Sequence, residues 1–392
     1  MKFSSKAATS LLCALLSAGM LFSASSCGKI ADAADGSESY TNIYGTDNSI
    51  FNGNATEADK NSTQKATQKS TQKRETSKNR VFKANTTNQW KYYRDMGNNI
   101  IERRLVINTG WGGESVDIVQ MTDMHINYCN ENDLKDPVLK STYQYRTWLK
   151  NGESLPNVER CMKSAQDADV IVLTGDVYDY YSEGVVQKAD DYIFNKYKNV
   201  VGAIGNHEVV RRVQGKVEET KSEKELRDLV TRSWCNDITY ESIILKDKVM
   251  AILLDNSSGK FLQEQISLFK QDLKKARTEG YVVLLFYHVP VNTGNPADAK
   301  AKALYVNDDY PANFYDYAEH PGPGSSGADK TMYDLICNNA DVIKGAFCGH
   351  YHSDYYTEIS AKTPNGAKTI IPQYILTGAA YDSGHMLRIT IN

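Results

Sequence analysis

The chain has 392 residues, with 45 Lys and Arg against 48 Asp and Glu and a formal net charge of −3. That balance argues against nucleic-acid binding by bulk positive charge. An apolar fraction of 41% with 24% charged residues argues against both global disorder and a multi-span membrane protein. Seven Cys are too few at this length for a disulfide scaffold.

Residues 1–27 read as an export signal. Lys2 and Lys6 give a positive start, and the apolar stretch Ala7–Phe22 is too short to span a bilayer comfortably. The small residues Ser23-Ala24-Ser25-Ser26 before Cys27-Gly28 resemble the lipobox of bacterial lipoproteins, although Ala24 stands where that motif usually has a larger aliphatic. The resemblance implies lipidation of Cys27 and a place on the outer face of the cell membrane, the alternative being signal cleavage and secretion. Residues 28–88 have no apolar periodicity. They contain three tandem tetrads, Ser62-Thr63-Gln64-Lys65, Ala66-Thr67-Gln68-Lys69 and Ser70-Thr71-Gln72-Lys73. Such a composition cannot bury enough apolar surface to offset its ordering entropy, so this segment is expected to be a disordered linker. Its acidic first part and basic second part fit a solvated spacer better than an arm for polyanions.

Residues 89–392 are expected to form one domain. Strand candidates are Val116–Met121, Val170–Leu173, Val200–Ile204, Ser242–Leu245, Val249–Leu254, Val282–Phe286, Val342–Phe347, Tyr374–Thr377 and Met386–Ile391. Amphipathic stretches lie between several of them. One follows the expected cap Ser154, with Pro156 in its first turn, and runs to about Ala168. Another spans Leu262–Arg277 and stops at Gly280. The alternation implies an α/β domain whose sheets are covered by helices, with ligands gathered at the carboxyl ends of the strands.

Those ends are polar in a consistent way. Val116–Met121 runs into Thr122-Asp123-Met124-His125, and Val170–Leu173 into Thr174-Gly175-Asp176-Val177-Tyr178-Asp179. Val200–Ile204 delivers Gly205-Asn206-His207-Glu208, Val282–Phe286 delivers Tyr287-His288, and Val342–Phe347 delivers Cys348-Gly349-His350-Tyr351-His352. Five of the seven His in the chain sit at these ends. One His at a strand end is usually structural, but five such ends together read as oxygen and imidazole ligands converging on metal.

The order Asp-x-His, Gly-Asp, Gly-Asn-His-Glu, His, Gly-His-x-His resembles the calcineurin-like metallophosphoesterase superfamily from about Val116 to the C-terminus. The resemblance implies two packed mixed β-sheets flanked by helices, an αββα sandwich, and two metal ions. One metal would be held by Asp123, His125 and His352 and the other by Asn206, His288 and His350, with Asp176 bridging them. Two such cations clamp a phosphate oxygen and acidify a bridging water to make the nucleophile. No Cys is among the ligands, which suits Fe, Zn or Mn. It also implies that His207 acts on the leaving oxygen as a general acid, and that Asp179 pairs with His207, raising its pKa and fixing its ring. The bland alternative for Asp179 is a helix cap.

The pattern departs from several branches. Asp179 and His125 stand where purple acid phosphatases have Tyr and Gly. Tyr180-Tyr181 follows Asp179 where protein Ser/Thr phosphatases have Arg-Gly. Only 40 residues follow His352, whereas the 5′-nucleotidase branch carries a further domain there. Substrate choice is expected in Asn292–Lys330, through Tyr305, Tyr310, Tyr315, Tyr317 and His320, or else that stretch is a packed surface excursion. Arg211 and Arg212 read as exposed helix residues sooner than as phosphate ligands, and His385 as structural. The five Cys beyond Cys27, an odd number, cannot all pair internally. The expectation is an exported, lipid-anchored phosphoesterase acting on phosphate mono- or diesters. The rival is a cell-envelope binding protein on an inactive phosphoesterase scaffold.

Overall fold

In a computed structural model the short apolar runs assemble into two six-stranded sheets that share one core. The structure describes residues 91–95, 99–146, 149, 152–213, 216–295, 320–352, 354–380 and 383–392. The expected export signal with Cys27, the expected linker, and residues 296–319, with Tyr305, Tyr310, Tyr315 and Tyr317, lie outside them.

The first sheet has the order β1 (Lys91–Asp95), β2 (Ile100–Ile107), β12 (Gly384–Ile391), β3 (Val116–Met121), β4 (Val170–Thr174), β5 (Val200–Ala203). The second runs β10 (Tyr355–Lys362), β11 (Lys368–Ile375), β9 (Ile343–Cys348), β8 (Val282–Phe286), β7 (Val249–Leu254), β6 (Tyr240–Leu245). Each contains a parallel trio, β3–β4–β5 in one and β7–β8–β9 in the other. Strands β4, β7 and β8 are buried at every position, as strands covered on both faces must be.

Three clusters define the layers. Ile118, Val172, Leu284, Phe286 and Phe347 pack between the sheets. The outer face of the first sheet packs Val119, Ile171 and Leu173 on Val158, Cys161 and Met162 of α2 (Leu155–Ala165), Val185 of α3 (Glu183–Ala189) and Val230 of α5 (Glu223–Ser233). The outer face of the second carries α6 (Gln265–Glu279) and α7 (Gly327–Cys337), with Phe269, Leu273, Met332 and Ile336 turned inward. Each such side chain contributes about 1.5–3 kcal/mol by leaving water. The expected α/β sandwich of two mixed sheets flanked by helices is therefore the observed fold. Among the described residues no helix is long and apolar enough to cross a membrane.

The differences from the sequence reading have physical causes. Strand β2 escapes the hydrophobic pattern because it carries Glu102 and Arg103, which are buried and paired with Arg388 and Asp354. Strand β11 starts at Lys368, earlier than the expected Tyr374, because its exposed first residues already pair with β10. Ser154 makes no cap hydrogen bond; its Oγ lies 3.4 Å from the His125 carbonyl. Gly280 does end α6, in the left-handed conformation. Cys129, Cys161, Cys235, Cys337 and Cys348 are all free thiols. His385 is buried on β12, with Nδ1 3.3 Å from Arg103.

Candidate metal centre

The parallel trios direct their carboxyl ends to one place, and the turns there are strained. Asp123 (φ 49°), His125 (42°), Asp176 (52°), His350 (75°) and His352 (53°) all adopt left-handed backbone. That region costs a Cβ-bearing residue of order 1–3 kcal/mol and persists only where surroundings impose it. Here the turns after β3 and β4 hydrogen-bond to each other, Asp123 N–H to the Gly175 carbonyl at 3.0 Å and His125 N–H to the Asp176 carbonyl at 2.9 Å. The motif glycines allow the approach. A Cβ on Gly205 would overlap Asp176 Oδ1, and one on Gly349 would overlap Thr122 Oγ1 and Asp123 Oδ2.

Glu208, fully buried at the one-turn helix α4 (Asn206–Val209), ties two of these turns together. Its carboxylate accepts the backbone N–H of Asp176 (3.0 Å), Tyr178 (2.8 Å) and Gly205 (2.6 Å). Burial, then the nearby Asp176, pushes its pKa up to about 7.

The structure brings together every side chain the sequence nominates as a ligand. His352 Nε2 lies 3.1 Å from Asp123 Oδ1 and 3.0 Å from His125 Nε2. On the other side His350 Nδ1 lies 3.0 Å from Asn206 Oδ1 and 3.2 Å from His288 Nε2. Between them, Asp176 Oδ2 is 3.2 Å from His288 Nε2 and 3.8 Å from His125 Nε2. Asp123, His125, Asp176 and His352 form one potential metal-holding group, and Asp176, His288 and His350 another.

The donor set fits cations. Asp123 Oδ1 is buried without a well-formed hydrogen bond, an expensive state for a carboxylate oxygen unless a positive charge meets it. Spacings of 3.0–3.2 Å between donors suit neighbouring ligands of a first-row ion with bonds of about 2.0–2.2 Å. The carboxylates also raise two of the imidazoles. Burial alone would depress His125 and His288, yet Asp123 and Asp179 hold His125 up at about 9, and Asp176 holds His288 up at about 10.

The Asp179–His207 pairing differs from expectation. The Asp179 carboxylate is 2.9 Å from Nδ1 of His125 and 3.4 Å from Nδ1 of His207. His207 meets the Asp179 main-chain carbonyl more closely, at 2.9 Å. Its pKa is not raised: burial pushes it down to about 4. The carboxylate is instead taken by groups that carry no sequence signature. Arg146 Nε lies 2.9 and 3.1 Å from its two oxygens, Arg146 Nη2 also donates to it, and Asn127 Nδ2 donates from 3.0 Å. With a guanidinium already there, the grouping of His125, Asp179 and His207 has its counter-charge and is no third cation site.

Two minor expectations change as well. Arg211 is buried, beyond the end of α4, and donates to the Tyr181 carbonyl at 3.2 Å, while Arg212 is exposed. Of the aromatic and imidazole groups proposed to read substrate, His320 is described. It is buried, its ring stacks on Tyr351 with centroids 5.8 Å apart, and it lies 6.0 Å from the His350 ring.

This arrangement of strand-end ligands on two packed sheets defines a class of metal-dependent phosphoesterases. The model of the calcineurin-like phosphoesterase family matches residues 116–354, and the chain belongs to that family. No curated protein matches the sequence. Among solved structures the chain is similar to a dimetal phosphatase from Danio rerio at 11% identity, covering 68% of this chain and 88% of that one with a TM-score of 0.38. It is similar to a purple acid phosphatase from Lupinus luteus at 13% identity, covering 71% and 44% with a TM-score of 0.36. It is also similar to the calcineurin-like phosphoesterase YfkN from Bacillus subtilis at 15% identity, covering 67% and 81% with a TM-score of 0.31.

Proposed function

We propose that the protein is an exported phosphoesterase that hydrolyses phosphate mono- or diesters outside the cell, held at the membrane by a lipid on Cys27. The observation that carries the reading is the set of seven side chains from five strand ends, spaced as neighbouring ligands in two groups that meet at Asp176. Asp123, His125 and His352 would hold one cation and Asn206, His288 and His350 a second, with Asp176 shared. When bound, the pair supplies Lewis acidity toward the phosphoryl group and a nucleophile at neutral pH.

The chain's own residues supply the rest. His207 Nδ1–H donates to the Asp179 carbonyl, which fixes the tautomer and leaves Nε2 bare, so that Nε2 must first take up a proton before it can pass one to the leaving ester oxygen. Glu208 holds the turns bearing Asp176 and Asn206 at a fixed separation. Thr122 Oγ1–H donates to Asp123 Oδ2 at 2.7 Å, which turns Oδ1 toward His352.

The test is metal analysis followed by turnover of p-nitrophenyl phosphate and bis-p-nitrophenyl phosphate with Mn, Fe or Zn added. Two bound metal ions and hydrolysis of at least one ester are expected. Metal-replete protein inert on both esters supports the binding-protein reading instead. For the anchor, labelled palmitate should enter the wild type and not Cys27→Ala; equal label in both overturns it.

A further inference from the structure

Arg146 is the last residue to emerge from the helix α1 (Pro137–Tyr145), and it ends up far from where a helix C-terminus usually leaves its arginine. Its backbone N–H still bonds to the Thr142 carbonyl at 2.8 Å. The side chain, however, turns inward, is 8% exposed as a residue, and delivers both Nε and Nη2 to the Asp179 carboxylate. Asn127 reads both partners, its Nδ2 lying 3.0 Å from the Arg146 carbonyl and 3.0 Å from Asp179 Oδ2. The Tyr180 hydroxyl in turn donates to Asn127 Oδ1 at 3.0 Å. This chain of contacts ends on Nδ1 of His125.

We propose that Arg146 is a positioning residue for metal binding at the Asp123–His125–His352 half of the centre, acting through Asp179. Asp179 Oδ1 at 2.9 Å from His125 Nδ1 takes that nitrogen's hydrogen, so Nε2 is the bare nitrogen turned to Asp123 and His352. A carboxylate behind a ligating imidazole fixes its tautomer and raises its basicity. A lone carboxylate buried at this depth would be free to rotate and would itself need a counter-charge. The forked guanidinium supplies both, since two parallel N–H donors fix the carboxylate plane where a point charge would not. In the other half His288 Nδ1 donates instead to the Thr174 carbonyl at 2.8 Å, a neutral acceptor fixed by the backbone. The effect of Arg146 is therefore confined to one of two metal-binding steps.

The inference rests on the two-metal reading, and its test separates the two. Apo protein is titrated with Zn alone by calorimetry, comparing wild type with Arg146→Lys, which keeps the charge and loses the fork, and with Asp179→Asn, which keeps the shape and loses the charge. Folding is checked by the thermal midpoint. Wild type should bind two Zn. In both variants one step should weaken about 10–100-fold, the range for groups that orient a metal ligand, while the other step stays within about twofold. The double variant should be no weaker than Asp179→Asn. Unchanged affinity in a folded single variant overturns the proposal, as does equal weakening of both steps, which marks a merely structural role. Wild type that binds no Zn sinks the two-metal reading itself.

Discussion

Each half of the centre joins two imidazoles to one oxygen ligand, a carboxylate in one and an amide in the other, and the two are held in opposite ways. The His125 half is backed by ions: Asp179 behind His125, then Arg146 behind Asp179. The His288 half is backed by neutral amides. His288 donates to a main-chain carbonyl, and the segment after it is stapled on both sides. Asn256 exchanges two hydrogen bonds with Val289, at 2.6 and 3.0 Å, and Gln373 exchanges two with Val291, at 3.0 and 3.1 Å. Asn256, just past the end of β7, continues that strand's pairing with β8, and Gln373 reaches the same segment from within β11, whose own partners are β9 and β10. An ionic backing raises ligand basicity but depends on a second ion staying in place. An amide backing sets geometry alone and depends on no charge. One half is therefore tunable by charge, and the other is set by the sheet.

The most severe way to test that division is to remove what both halves share. Asp176→Ala takes away the oxygen between His125 and His288 and should cost turnover of either nitrophenyl ester about 10⁴-fold, roughly 5–6 kcal/mol in the barrier. Metal analysis should find fewer than two ions per chain. If both ions remain, each half is complete without the shared carboxylate. His207→Ala comes next, with an expected loss of about 10²–10³-fold in kcat, within the range for one proton-transfer group. Both metals should stay bound, because His207 serves neither half as a ligand. Near-normal turnover would remove it from the mechanism. Asn256→Ala strikes the amide-backed half only. It leaves the buried N–H and C=O of Val289 unpaired and should lower stability by about 2–6 kcal/mol, at roughly 1–3 per orphaned group, as read by denaturant unfolding of the metal-free protein. A variant as stable as wild type would show that the sheet holds His288 without the staple.

The same division decides what the sequence could reveal. The ligands were legible because Asp, Asn and His recur after apolar strands, and those strands read clearly because both their faces are buried, as in β4, β7 and β8. Glu208 was visible in its motif, although only the folded turns show that it binds three backbone N–H groups. Arg146 was not legible at all. It lies 33 residues from Asp179 in a stretch with no pattern, and nothing local announces that a helix-terminal arginine will turn inward. Strand β2 was missed for a related reason. Buried ion pairs look in sequence like a solvated face, and Glu102 and Arg103 are paired across the fold with Arg388 and Asp354.

The effect that is smallest near neutral pH concerns the fold and not the reaction, and it belongs to the first sheet. His385 on β12 is buried against Arg103, and burial first, then that guanidinium, pushes its pKa down to about 3. In the unfolded chain an imidazole titrates near the ordinary value of about 6.5. Between those two values the unfolded state binds a proton that the folded state refuses, so falling pH favours unfolding. Stability carries no penalty from His385 above about pH 7. It should decline as pH drops from about 6.5 toward 3, with a limiting slope of about 1.4 kcal/mol per pH unit for one proton. The carboxylates of the centre lose stability in the same direction on acidification, so the total slope cannot identify His385. The difference between wild type and His385→Gln can. In metal-free protein the variant should lack one proton's worth of slope in that window and match the wild-type slope above pH 7. Parallel curves throughout would mean that His385 takes up its proton without unfolding, and that Arg103 moves aside to let it.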